Sequence, residues 1–145
     1  MNNIYTIGFA GKGAEKFFTL LKNSGAKRLI DIRLNNLSQL AAFSKKDDLR
    51  YFLKTILDWE YIHKPELVPT ESILSDYKNK KIDWKVYEER FKALVNERKV
   101  FNLIKKSEMV DSVLLCSEPE PKFCHRRLVA EHFAEKLSDV KIAHL

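Results

Sequence analysis

Short apolar segments with β-strand character alternate along this chain with longer segments that have the period of an α-helix. The strand-like segments cover residues 4–9, 28–34, 59–63, 110–116 and 140–145. In most of the segments between them, apolar residues recur three and four positions apart, as on one face of a helix. Strands that alternate with helices are typical of a parallel sheet covered on both faces. The pattern therefore predicts a three-layer α/β fold with a mostly parallel sheet of about five strands.

The first two strands and the segment between them set the expected connectivity. A glycine-rich turn follows the first strand, and a helix that begins near Ala14 is predicted to end at Gly25. Two parallel strands need a crossover of about a dozen residues or more, and this helix supplies it. The simplest arrangement places the two strands side by side, with their carboxyl ends on the same edge of the sheet.

Capping and breaking residues mark the later elements. Ser44, with an acidic residue three positions later, is spaced as a cap for a second helix. Pro65 and Pro69 predict an irregular loop after the third strand. Asp83 is expected to cap a longer helix that continues past residue 100.

Length, composition and cysteine count limit the class of protein. A length of 145 residues is that of one domain, so a single α/β domain over residues 1–145 is expected. No apolar run reaches the roughly 20 residues of a membrane helix, and the first residues do not have the composition of a secretory signal. Two cysteines are too few for a disulfide framework. We therefore expect a cytoplasmic protein with no membrane partner, whose oligomeric state the sequence leaves open.

The formal net charge of +6 favours anionic partners, either small molecules or nucleic acid, without establishing either. Residues that can recognise or transform such partners gather where the predicted strands end. They are Gly8 and Gly11 in the first turn, Asp31 and Arg33 at the second strand, and Cys116, Glu118, Cys124, His125 and Arg126 around the loop after the fourth. Ligands of open α/β sheets bind outside the carboxyl ends of the strands. The sequence therefore predicts that these residues share one rim.

Cys124 is the candidate nucleophile. It precedes a predicted helix and is followed by His125, Arg126 and Arg127. The amide-rich start of a helix and neighbouring cations both lower the pKa of a thiol. The alternative is that Cys124 fills space at a strand-to-helix corner. Cys116, at the end of a buried strand, is expected to be inert while bordering the ligand.

Arg33 and Arg126 are the candidate ligand-binding residues. A guanidinium presents a planar fork of donors that suits phosphate or carboxylate. The backbone of the turn at Gly8 and Gly11 and the side chain of His125 are expected to complete this anion site. The competing interpretation is an internal network in which an acidic residue pairs with these arginines.

Asp31 and Glu118 are the acidic residues that could pair with these arginines or take part in catalysis. Either carboxylate can act as a general base or acid if burial raises its pKa. Either can instead serve as an ordinary ion-pair partner, for example of Arg126. The sequence leaves both roles open.

No metal and no cofactor are expected. Cys116, Cys124, His125 and His132 offer four ligand atoms, but their spacing differs from the paired spacing of structural zinc sites. The adjacent Cys124 and His125 are also awkward as simultaneous ligands. The glycine turn has neither the dinucleotide-binding spacing nor the lysine-serine ending of a nucleotide-triphosphatase loop.

Four short motifs resemble those of a known family. Thr6-Ile7-Gly8, Asp31-Ile32-Arg33, Leu114-Leu115-Cys116-Ser117-Glu118 and Cys124-His125-Arg126 are similar to the signature of the family called domain of unknown function 488. The resemblance covers nearly the whole chain and implies a compact α/β domain of unsettled biochemical role.

The chain departs from the family pattern at two places. Phe9 and Ala10 stand where members commonly carry histidine and serine, and Val68-Pro69 stands in place of a glycine pair. A family role that depends on the missing histidine or serine is therefore not carried over.

Three functions stay open, and the sequence does not decide whether the protein is an enzyme. The first is an enzyme-like domain that binds a phosphate-bearing, nucleotide-like ligand and uses thiol or carboxylate chemistry. The second is a non-catalytic nucleic-acid or nucleotide-binding module, favoured by the charge and opposed by the lack of a recognised binding motif. The third is a structural or regulatory protein in which the cysteine, histidine and arginine residues only hold the strand ends together.

Overall fold

Strands and helices alternate in the computed structural model, which describes residues 2–37 and 42–145. The strands are β1 (Asn2–Gly8), β2 (Arg28–Asp31), β3 (Glu60–His63), β4 (Ser112–Cys116) and β5 (Val140–His144). The helices are α1 (Ala14–Ser24), α2 (Lys46–Phe52), α3 (Glu71–Lys78), α4 (Trp84–Glu97), α5 (Val100–Leu103), α6 (Lys106–Met109) and α7 (His125–Lys136). Short 3-10 turns cover Ala42–Ser44 and Pro65–Leu67, and a π-helical turn, Leu53–Leu57, extends α2.

The five strands form one parallel sheet in the order β3-β2-β4-β1-β5. The predicted α/β class and parallel sheet are confirmed. The expectation that β1 and β2 are neighbours is wrong, because β4 lies between them and pairs with both. All five residues of β4 are buried, which suits the central position of a sheet covered on both faces.

The core divides into two layers because successive strand residues point to opposite faces of the sheet. On one face, β-strand residues such as Ile7, Leu29 and Leu115 pack against α1 and α2. On the other face, residues such as Ile30 and Leu114 pack against α3, α4 and α7. Helices thus cover both faces, which confirms the predicted three layers.

The helix ends follow the sequence signals in part. α1 ends at Gly25, which has the left-handed φ of 84° that glycine adopts at low cost. Asp83 caps α4 by accepting a hydrogen bond from the Val86 N–H at 3.0 Å. Both predictions are confirmed. The expected continuation of α4 past residue 100 is wrong. Lys99 adopts the left-handed conformation, with φ of 54°, which interrupts the helix before α5 begins.

One other expectation is wrong, since Lys45, not Ser44, occupies the capping position of α2, and Ser44 is buried in the preceding 3-10 turn. The irregular segment predicted at Pro65 and Pro69 is present. The helix α3 that follows it was not predicted, and Thr70 caps this helix by accepting a hydrogen bond from the Ile73 N–H.

Within residues 2–37 and 42–145, no helix combines the length and the apolar character that a membrane span requires.

Candidate functional site

A cavity of about 620 Å³ opens beside the carboxyl ends of β2 and β4. Its walls are the residues that follow these two strands, the helix α3 and the start of α4. We call it the strand-end cavity. Five of the nine residues singled out in the sequence line it, namely Arg33, Cys116, Glu118, Cys124 and His125. The other four, Gly8, Gly11, Asp31 and Arg126, do not line it.

The thiol of Cys116 faces an imidazole whose tautomer is fixed by a backbone carbonyl. Cys116 ends β4 and its Sγ lies 3.5 Å from Nδ1 of His125, the first residue of α7. Nε2 of the same ring lies 2.6 Å from the carbonyl oxygen of Ile32. A carbonyl oxygen only accepts, so Nε2 carries a hydrogen, and in the neutral tautomer that this contact selects, Nδ1 is the nitrogen whose lone pair faces the thiol. Thiol, imidazole and carbonyl therefore form a line of contacts suited to proton transfer.

The two cysteines differ in the direction of their pKa. A hydrogen bond from the Cys124 thiol is the largest influence on Cys116, and it outweighs burial to lower the pKa of the Cys116 thiol. The backbone N–H groups of Ser117 and Glu118 lower that pKa further. Burial raises the pKa of the Cys124 thiol, as does its contact with Cys116. The thiol of lowered pKa is thus Cys116, whereas the sequence led us to expect it at Cys124.

The same cluster has the donor atoms of a metal site. The sulfur atoms of Cys116 and Cys124 and a ring nitrogen of His125 all lie within 4.8 Å of one another, and all three residues are buried. The fold therefore brings together three possible ligands, two thiols and one imidazole, whose spacing in the sequence does not predict a site. His132, the fourth residue considered in the sequence, is not part of this group.

Arg33 is held by a buried carboxylate. Its backbone N–H and Nε donate to Oδ1 of Asp31 at 3.0 and 2.9 Å, and Nη2 donates to Oδ2 at 2.9 Å. Asp31 is fully buried and also accepts a hydrogen bond from the Tyr61 hydroxyl. With four donors on its two oxygens, Asp31 serves as a positioning partner for the guanidinium.

The two terminal nitrogens of the Arg33 guanidinium differ in their hydrogen bonding. Nη2 of Arg33 also donates to the carbonyl oxygen of Ser44 at 2.7 Å, but Nη1 has no hydrogen-bond partner among the described residues. Arg33 is only 3% exposed, so this nitrogen is shielded from bulk solvent. The guanidinium also lies over the ring of Phe9, 5.5 Å from its centre. Phe9, one of the departures from the family pattern, thus helps to hold Arg33.

Arg126 holds the loop that follows β4. Its Nη1 donates to the carbonyl oxygen of Glu118 at 2.5 Å, and its Nη2 donates to that of Pro119 at 3.4 Å. Its Nε donates to the Thr6 hydroxyl at 3.3 Å, and the residue is 0% exposed. Arg126 therefore binds backbone inside the protein, whereas the sequence pointed to a ligand or to an acidic side chain.

The glycine turn also packs against that loop. A Cβ on Gly8 would lie 1.6 Å from the carbonyl oxygen of Glu118, so only glycine fits at this position. The N–H groups of Phe9 and Ala10 donate to the carbonyl oxygens of Cys116 and Ser117. These two amides are engaged within the protein. Gly11 supplies a left-handed φ of 74° in the turn and stays outside the cavity lining.

Aromatic side chains form one wall of the strand-end cavity. Trp84 stacks on Tyr87 with ring centres 4.7 Å apart and an angle of 19°, while Tyr77 and Phe123 contact Trp84 edge-on. All four residues line the cavity. None of these four residues was assigned to the site from the sequence. The hydroxyl of Tyr61, which fixes Asp31, was missed as well because no local pattern identifies it.

A larger cavity of about 790 Å³ lies between α1 and α2. Its lining is mainly apolar and includes Phe18, Phe43 and Phe52. It contains none of the site residues singled out in the sequence.

Fold and site together define a parallel α/β domain with a thiol–imidazole cluster at the strand ends. The chain belongs to the family described as domain of unknown function DUF488, whose sequence model matches residues 13–133. The family resemblance of the motifs is thereby confirmed, although the first-strand motif precedes the matched range. Comparison with curated proteins and with solved structures found no match.

Proposed function

We propose that this protein is a thiol-dependent enzyme domain that binds an aromatic, phosphate-bearing ligand of nucleotide-like chemistry in the strand-end cavity. One observation carries this proposal. A single cavity is lined by a guanidinium, by a thiol beside an imidazole, and by a wall of aromatic rings. Convergent polar groups in a well-formed pocket are the usual mark of a binding site.

The aromatic wall and the cations define the ligand class. The rings of Trp84 and Phe123 offer faces and edges against which a planar heterocycle can stack, at about 1–3 kcal/mol for each stacked base. Lys78 and Arg33 line the same cavity and supply positive charge for an anionic group. Nη1 of Arg33, without a hydrogen-bond partner among the described residues, is the donor that an anion would satisfy.

The proposed chemistry begins with the proton of Cys116. Nδ1 of His125 accepts that proton, and Sγ then forms a bond to an electrophilic centre of the ligand. The bond between this centre and its leaving group breaks, and the leaving group takes the proton from Nδ1. The Ile32 carbonyl keeps Nε2 protonated throughout. Cys124 acts as a positioning residue that donates its S–H to Cys116.

A competitive alkylation experiment tests the nucleophile. The metal-free protein is treated with limiting iodoacetamide at neutral pH and digested with trypsin, which separates Cys116 (residues 107–122) from Cys124 (residues 123–126). We expect Cys116 to be modified at least about tenfold faster than Cys124. A His125→Asn substitution should slow the modification of Cys116, because the proton acceptor at 3.5 Å is lost. Faster modification of Cys124, or a rate at Cys116 that His125→Asn leaves unchanged, would contradict the proposal.

Ligand binding can be followed by tryptophan fluorescence. The chain has two tryptophans, and Trp59 lies in the opposite core layer, so Trp59→Phe leaves Trp84 as a reporter in the cavity wall. Adenosine 5′-monophosphate should quench this fluorescence more strongly than adenosine or inorganic phosphate alone.

Two exposed lysines supply a test variant and its matched control for that titration. Lys78→Gln should weaken nucleotide binding about two- to fivefold, the effect of one solvent-screened charge pair. Lys85→Gln removes the same charge from α4 at a position outside the cavity lining and should have no effect. Equal effects of the two substitutions, or no quenching at millimolar nucleotide, would refute binding in this cavity.

A further inference from the structure

We propose that Cys116, Cys124 and His125 form a binding site for a soft divalent metal ion of the zinc class, with a fourth position open to the strand-end cavity. The proposal goes beyond the function proposed above and does not depend on it. While an ion is bound, Cys116 is a metal ligand and does not act as the nucleophile of that function. It stands on the geometry and chemistry of three side chains that the fold brings together.

The distances suit a tetrahedral ion. Zinc binds thiolate sulfur at about 2.3 Å and imidazole nitrogen at about 2.0–2.1 Å, so tetrahedral geometry places these two ligand atoms about 3.5 Å apart. Sγ of Cys116 and Nδ1 of His125 are 3.5 Å apart. Since Sγ of Cys124 lies within 4.8 Å of the Cys116 sulfur and of a ring nitrogen of His125, small side-chain rotations complete the set.

The imidazole is already oriented as a ligand. A metal-binding histidine generally donates its second ring N–H to a carboxylate or a backbone carbonyl, which fixes the ring and its tautomer. His125 does so through Nε2, which lies 2.6 Å from the Ile32 carbonyl oxygen. The ring of Phe91 contacts the imidazole edge-on and holds its plane. Nδ1 is therefore left as the free donor atom.

The charge and the donor types select the kind of ion. Thiolate ligands favour soft ions over magnesium or calcium. Two thiolates and a neutral imidazole balance the charge of one divalent ion, so the buried complex would carry no net charge. A neutral complex avoids most of the desolvation penalty that a buried charge would incur.

Sequence adjacency is not an obstacle in the folded chain. Cys124 has an extended backbone, with φ of −139° and ψ of 139°, and the helix begins only at His125. The chain therefore changes direction between the two residues, and both side chains line the same cavity. Three protein ligands with an open fourth position are typical of catalytic zinc sites, where water or a substrate completes the coordination. Glu118 also lines the cavity and can reach a ligand bound there.

A metal titration of the full chain tests the site. After removal of metal with a chelator, the protein is titrated with Co²⁺ and then with Zn²⁺. We expect one ion per chain, a thiolate-to-cobalt absorption in the near ultraviolet, and displacement of cobalt by zinc. Cys116→Ser, Cys124→Ser and His125→Asn should each weaken zinc binding by about 100-fold or more. His132→Gln, which alters a histidine of α7 outside the cluster, should leave the affinity unchanged.

A second measurement uses the wild-type chain, because serine at a buried cysteine can disturb folding. Stoichiometric zinc should protect both cysteine-containing tryptic peptides from alkylation by at least about tenfold, since a metal-bound thiolate is a poor nucleophile toward the reagent. A cobalt complex without thiolate absorption, or alkylation rates that zinc does not change, would overturn the metal site. If zinc binds but Cys116 is unreactive in the metal-free protein, the proposed enzyme function fails while the metal site stands.

Discussion

Replacement of Gly8 by alanine places a methyl group where it overlaps backbone atoms of the loop that follows β4. The new Cβ would lie 1.6 Å from the carbonyl oxygen and 2.7 Å from the carbonyl carbon of Glu118, and 2.9 Å from Nη1 of Arg126. Backbone atoms cannot rotate away as a flexible side chain can, so the loop has to move. Overpacking of this kind costs about 1–3 kcal/mol or more.

The same movement separates the Arg126 guanidinium from the Glu118 carbonyl. A buried hydrogen bond from a charged group contributes about 1.5–3 kcal/mol, and the guanidinium would be left without this acceptor. We therefore expect Gly8→Ala to lower the free energy of unfolding by about 3–5 kcal/mol, a large share of the roughly 5–15 kcal/mol typical of a domain.

Urea denaturation, followed by circular dichroism, measures the loss, and Gly13→Ala is the matched control. Gly13 precedes α1 with φ of −76°, and no atom of the described residues lies within 4 Å of a Cβ built there. Alanine at this position should change stability by less than about 0.5 kcal/mol, because a weaker cap is offset by a less flexible unfolded chain. A loss below about 1 kcal/mol for Gly8→Ala would refute the argument from close approach.

Two further predictions concern the charged groups at the strand ends. Arg33→Met should lower the free energy of unfolding by about 3–5 kcal/mol, because it leaves the carboxylate of Asp31 buried without its ion-pair partner. The control is Arg90→Met, which removes a partly exposed ion pair and should lower the same free energy by at most about 1 kcal/mol in the urea assay. Burial lowers the pKa of His144, so the unfolded chain takes up a proton at a higher pH than the folded chain, and stability should fall as the pH drops below about 6.5. Melting temperatures at about pH 7.5 and pH 5 check this, and the wild type should lose more than His144→Gln over that interval.

The fold class could be predicted because strand and helix periods are local properties of the sequence. The order of the strands could not, because pairing depends on which segments best fill the space between two layers of helices. The run from Val113 to Cys116 is apolar without interruption, a pattern typical of a strand buried on both faces. That run indicates a central strand, yet nothing local determines that β4 separates β1 from β2.

The candidate site shows the same division between what is local and what is not. Sequence neighbours made Cys124 the expected thiolate, because three basic residues follow it. In the folded chain Arg126 turns to backbone carbonyls of the loop, and Arg127 pairs with Glu131 and Glu88. The groups that stabilise a thiolate instead surround Cys116. The location of the site residues at the strand ends was therefore predictable. The roles of the two cysteines were not, because they depend on how the neighbouring side chains are oriented in the folded chain.

The buried network beneath the cavity bears on the choice between a binding site and a purely structural one. Apolar residues can replace a buried ion pair with little loss of stability, so stability alone is a weak reason to bury Arg33 on Asp31. A structural pair would be expected to satisfy every donor, yet Nη1 of Arg33 has no partner among the described residues, and Arg33 lines the cavity. His125 likewise keeps a lone pair of Nδ1 toward a thiol, although its ring is held from the other side by a carbonyl. Arg33 and His125 are thus held by partners outside the cavity that both of them line, an arrangement that favours recognition of a ligand over the mere joining of strand ends.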